Sequence, residues 1–145
     1  MKKISKIMLS VLLLMLVTRQ SYAQESLYKR LGGYDAIAAV TDDFIGRLAA
    51  DKVLSRFFVA TSDDTKHKIR QHIVDQLCNV TGGPCLYIGR SMKDAHHGMK
   101  ISETDWSVTV KLLIESLNKF KVPQKEQNEF LAIVSSVKKD IVEAQ

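Results

Sequence analysis

Apolar residues recur every three or four positions from Leu27 to Ile141, and no stretch shows the in-out alternation of a strand. That spacing is the mark of amphipathic helices, so the chain is expected to be all-α. Ile37, Val40, Phe44, Ile45 and Leu48 stripe one helix over about 34–50, after a shorter one at about 27–31 that Gly32-Gly33 stops. Ser62, Asp63 and Asp64 suit the start of a second helix, running to about residue 80. Its inward stripe reads Ile69, His72, Ile73, Gln76, Leu77 and Val80. Ser102 caps a third, with Glu103 and Asp105 in its first turn, where a carboxylate favours the positive helix end. Trp106, Val110, Leu113, Ile114 and Leu117 form its face. The fourth has Pro123 in its first turn and carries Phe130, Ile133, Val134, Val137 and Ile141 on one continuous stripe. Four main helices around one core is the expected architecture.

The charge of the chain is misleading as a guide to partners. At +5 the chain looks basic, yet four of its 21 basic residues, and none of its 16 acidic ones, lie in residues 1–23. The remainder therefore carries 17 basic against 16 acidic residues, which does not point to a nucleic-acid partner. Residues 1–23 read instead as a secretory signal: Lys2, Lys3 and Lys6, an apolar run from Ile7 to Val17, then Ser21-Tyr22-Ala23 before Gln24. The run is shorter than the ~20 residues that span a bilayer. The expectation is a cleaved leader and a periplasmic or secreted domain of residues 24–145, monomeric and free of the membrane.

Export would place Cys78 and Cys85 in an oxidising space. A bridge between them would stabilise the fold by about 2.5 kcal/mol. A buried helix cysteine beside an exposed loop cysteine is an equally good reading of the spacing. Between Thr81 and Ser102 the helical pattern lapses for about twenty glycine-rich residues, with at most one turn near 91–96. Long irregular segments in small domains are usually functional. This one holds Tyr87, Lys93, His96 and His97. His72 on the apolar stripe and His96 on the short turn could present nitrogens from opposite walls of a slot lined by Phe44, Ile45, Phe57, Phe58, Trp106 and Val134. A planar haem needs such a place.

Three motifs give that slot a family. Leu27 to Ile37, reading LYKRLGGYDAI, resembles the opening of group I truncated haemoglobins. Leu54 to Phe58 is similar to the segment carrying that family's haem-stacking aromatic, and Thr81 to Gly98 resembles its second glycine motif and proximal-histidine segment. The resemblance implies a two-over-two helical sandwich enclosing non-covalent haem b. His96 falls on the proximal ligand, Phe58 on the stacking aromatic, and Tyr87 and Lys93 on positions near the propionates. His72 falls where some relatives carry a distal histidine that binds the iron. Ile45, Ile69 and Ile73 occupy distal positions where oxygen-avid members place tyrosine and glutamine. No histidine follows His97, so the covalent haem link of some cyanobacterial members has no candidate. The resemblance implies reversible binding of O2, CO or NO and, with an electron donor, nitric oxide dioxygenase or peroxidase-like activity. The alternative is a bis-histidine electron-transfer or redox-sensing protein.

Overall fold

The structure, a computed structural model, describes residues 25–59 and 61–143. The leader lies outside the described residues. Seven α-helices follow in order among them: α1 (Leu27–Arg30), α2 (Gly33–Ala50), α3 (Asp63–Val80), α4 (Met92–His96), α5 (Glu103–Lys119), α6 (Gln124–Ser136) and α7 (Lys138–Ile141), with a 3-10 turn at Leu54–Phe57. No described helix is long and apolar enough to cross a membrane.

The helix starts follow the sequence chemistry. Ser62 accepts from the Thr65 N–H, and Ser91 accepts from the Asp94 N–H at 3.1 Å. Ser102 and Asp105 form a reciprocal box, in which Ser102 Oγ accepts from the Asp105 N–H and Asp105 accepts from the Ser102 N–H. α2 packs against α3 on one side and α5 on the other, while α1 bridges α2 and α6. Leu27, Val40, Leu113, Leu117 and Phe130 meet in the main core; Ile37, Ala38 and Val74 form a second core between α2 and α3.

Two expectations are corrected here. The fourth predicted helix is two helices, α6 and α7, because Val137 departs from helical geometry and caps both. The residues of α3 that seal the core are Val74 and Cys78, both fully buried, rather than the stripe centred on His72. Of that stripe, Leu77 packs against both cores, while Ile69 is 38% exposed and His72 is exposed. At about 100° per residue His72 stands roughly 160° round the helix from Val74. The α3 helix therefore has two apolar faces, one against α2 and one left to the long segment that follows it.

Ion pairs lace the helices together. Asp43 of α2 accepts from Lys119, Arg47 and Ser116, and Lys119 with Arg47 holds its carboxyl well below the ordinary carboxylate range. Asp42 with Arg70 and Glu129 with Arg30 are shifted downward in the same way. Carboxylates depressed in the folded state contribute stability above their unfolded values, near 3.8 for Asp and 4.5 for Glu, and lose it as pH falls through the folded values. The urea midpoint of the domain is thus expected to hold steady from pH 7 to about 5 and to fall progressively below about 4.5. Urea melts at a series of pH values check this; a midpoint unchanged at pH 3 would contradict it.

Candidate functional site

The irregular segment of residues 81–102 begins under tight constraint. Cys78 and Cys85 are joined, with Cα atoms 5.7 Å apart, which settles the open reading of the two thiols in favour of the bridge. Asn79 Nδ2 donates to the Cys85 carbonyl at 2.9 Å, and the Tyr28 N–H donates to the Thr81 carbonyl at 2.8 Å. Gly83 fits because it lacks a Cβ: one placed there would lie 2.5 Å from the Tyr28 ring and 2.7 Å from Cys78 Sγ. A Cys78→Ser, Cys85→Ser double variant is expected to lose about 2 kcal/mol of unfolding free energy, read from urea melts with and without reductant. Equal stability of the two proteins under oxidising conditions would contradict it.

From this anchored start the chain runs without helix or strand to Ser91. Leu86 and Ile88 stand 76% and 79% exposed, alternating with Tyr87, which is half-buried. The Tyr87 hydroxyl donates to the Arg90 carbonyl at 2.6 Å, so its proton is used within its own turn. The Tyr87 ring meets His72 of α3 edge to face, with centroids 6.1 Å apart. Of the residues expected at the site, these two are brought into direct contact.

α4 then carries His96 at its last position, half-buried. Its Nδ1 lies 2.8 Å from the Met92 carbonyl. A carbonyl can only accept, so Nδ1 carries the proton and Nε2 presents a lone pair to a ligand. His97 is exposed, with Nδ1 3.8 Å from Glu143. Lys93 is exposed on the preceding turn.

Ile45 on α2 and Ile73 on α3 are half-buried, as is Phe58 just after the 3-10 turn. Trp106 is buried at the start of α5. Val134 of α6 and Phe44 of α2 each pack against the main core, where α1, α2, α5 and α6 meet. The sequence reading missed the device that holds the aromatic pair. Arg56 donates to both oxygens of buried Asp105, at 2.7 Å each, while its guanidinium covers the Phe57 ring at 4.3 Å. The only sequence signal was Asp105 at the third position of a helix, which a cap explains equally well.

These residues fit haem on the chemistry of the donor set. A haem needs a neutral imidazole nitrogen, wide apolar walls and cations near its carboxylate edge. His96 supplies a nitrogen of defined tautomer, Ile45, Ile73 and Phe58 supply half-buried apolar side chains, and Lys93 supplies a cation.

Comparison with known proteins agrees. The family described as bacterial-like globin matches residues 26–143. A group 1 truncated haemoglobin of Mycolicibacterium paratuberculosis is 29% identical over 116 residues, 80% of this chain and 83% of its own. The crystal structure of the truncated haemoglobin of Tetrahymena pyriformis in its Fe(III) form superposes with a TM-score of 0.75 at 28% identity, covering 83% of this chain and all of that one. A 2/2 haemoglobin of Synechococcus, solved in the cyanomet state with covalently attached heme, superposes at 0.73 with 31% identity, covering 81% of this chain and 98% of that one. An all-helical two-over-two fold, a donor histidine on a short helix and a match across nearly every described residue lead to one assignment: the chain belongs to the bacterial-like globins as a group 1 truncated haemoglobin, a haem-binding globin for small diatomic ligands.

Proposed function

We propose that this globin holds haem b non-covalently through His96, with His72 as a sixth ligand that diatomic gases displace, and that it does so after export. The observation that carries the reading is the bond between His96 Nδ1–H and the Met92 carbonyl at 2.8 Å. It fixes the ring's tautomer and its orientation, as carbonyl partners do for metal-binding histidines. When bound, haem iron would supply a binding place for small gaseous ligands and a one-electron couple.

The chain's own residues decide what happens on the distal side. Ile45, Ile69 and Ile73 have no N–H or O–H to offer a bound polar gas. His72 and Gln76, one turn apart on the same face of α3, are the donors within that stripe. His72 is exposed on the face turned away from Val74, and the edge of Tyr87 limits where its ring can swing. An imidazole so placed favours reversible ligation over tight oxygen storage. Nitric oxide or reactive-nitrogen detoxification needs the sixth position vacated and an electron donor. Electron transfer or redox sensing, the second reading, is favoured by the same His72, since ligation by both His72 and His96 would leave no open place for a gas.

Absorption spectra of the protein beside a His72→Leu variant test the distal assignment. The expected result is a low-spin, two-imidazole spectrum that turns high-spin in the variant. High-spin spectra from both would remove His72 from the iron. Non-covalent attachment rests on the absence of any histidine after His97, and acid-acetone extraction should release the haem completely. Export rests on the Lys-rich and apolar leader of residues 1–23, and the Cys78–Cys85 bridge agrees with an oxidising space. N-terminal sequencing of the periplasmic fraction should begin at Gln24.

A further inference from the structure

The C-terminal end of the described chain returns to the proximal side. α7 packs against α4, and two residues beyond α7 the Glu143 carboxylate reaches the turn that follows His96. One of its oxygens accepts the Gly98 N–H at 2.6 Å and the other accepts the Lys100 N–H at 2.7 Å. Between them the Met99 N–H returns to the His96 carbonyl at 3.1 Å, and the Glu143 N–H donates to the Ile101 carbonyl at 2.9 Å. The turn needs this support, because Gly98 and Lys100 both adopt left-handed backbone, with φ of 79° and 54°. For the lysine that conformation carries a steric cost.

α4 is five residues long, too short to hold its own geometry in water. Its N-terminal end is fixed by the Ser91 cap on the Asp94 N–H. At the other end, directly after His96, Glu143 is the side chain that ties the turn down. We propose that Glu143 is a positioning residue for the proximal ligand: its two-oxygen clamp on Gly98 and Lys100 sets the angle at which His96 presents Nε2. The inference rests on His96 being the iron ligand. The Gly98 and Lys100 N–H groups draw the Glu143 carboxyl below its ordinary value, which agrees with a carboxylate that stays ionised while the clamp is closed.

The clamp predicts a spectroscopic effect that general loosening of the C-terminal end would not produce. Haem transfer from the full-length protein to excess apomyoglobin would be timed, and the iron–imidazole stretching band recorded by resonance Raman on ferrous protein in a His72→Leu background. Glu143→Ala is expected to speed haem loss by about 10-fold and to shift or broaden the band, in the range seen when a metal-binding histidine loses its supporting partner. Glu143→Gln, which keeps one good acceptor, should fall between. Glu103→Gln serves as the control, because it releases the Lys138–Glu103 pair at 2.7 Å and so loosens α7 from α5 while leaving the clamp intact. It should leave the band in place. An unshifted band in Glu143→Ala, or an equal shift in Glu103→Gln, would overturn the proposal. If the His72→Leu background protein, with Glu143 intact, itself lacks an iron–imidazole band, the ligand assignment of His96 fails, and the two failures are thereby told apart.

Discussion

Replacing His96 with alanine is expected to lower haem affinity at least ~100-fold, equivalent to about 2.7 kcal/mol. Under the proposed ligation the side chain would provide the nitrogen that anchors the cofactor, and its Nδ1 bond to the Met92 carbonyl would already orient the ring before haem arrives. His97 next to it is exposed and points toward Glu143, so His97→Ala should bind haem within about 2-fold of the parent. The fold itself should survive His96→Ala, since the half-buried ring contributes one backbone bond worth about 1 kcal/mol. Free imidazole in the buffer should restore much of the parent spectrum by filling the space the side chain leaves. Haemin titration of the two apo variants decides the matter. Parent-like affinity in His96→Ala, with loss in His97→Ala, would move the ligand one residue along.

Asp105→Ala should cost the folded domain about 3 kcal/mol, a drop in melting temperature on the order of 10 °C. Asp105 is 2% exposed and accepts four hydrogen bonds from three donors: the Ser102 N–H at 2.8 Å, the Ser102 hydroxyl at 2.7 Å and one Arg56 nitrogen that reaches both oxygens. Burial pushes its carboxyl up, but the Ser102 and Arg56 donors outweigh that and hold it below its ordinary value. Truncation removes the box that starts α5 and frees the 3-10 turn carrying Phe57 and leading into Phe58. Arg56 is half-exposed, so its share of the loss is the smaller one. Asp105→Asn, which keeps one acceptor for the Ser102 N–H, should lose about half as much. Thermal melts of the apo domain test the stability. A melting temperature within 2 °C of the parent in Asp105→Ala would show that the cap and the Arg56 pair are redundant.

Much of the architecture is legible from local chemistry. The period of the apolar residues specifies helices, Ser62 and Ser102 mark where two of them start, and the two glycine motifs locate the breaks. Each of these depends on residues within one or two turns of each other, so one sequence is enough to read them. The family resemblance was equally local, resting on three short motifs in the right order, and it implied the proximal position for His96, which the helical pattern had already put on a short turn.

What the sequence could not give depends on partners far along the chain. Two apolar faces on α3 look like one broad stripe in a linear reading. Only the position of α2 decides that Val74 and Cys78 are inside while His72 and Ile69 turn outward. The joining of Cys78 to Cys85 required the turn at Gly83 to bring their Cα atoms to 5.7 Å. Arg56 and Asp105 are 49 residues apart, and Glu143 meets Gly98 across 45. Charged side chains carry no periodic signal that names such a partner, because their pairing is set by where the backbone puts them after the core has formed. Local residue chemistry determined the helices and their starts; the packing of those helices determined which face of α3 is buried and which carboxylates find partners across the fold.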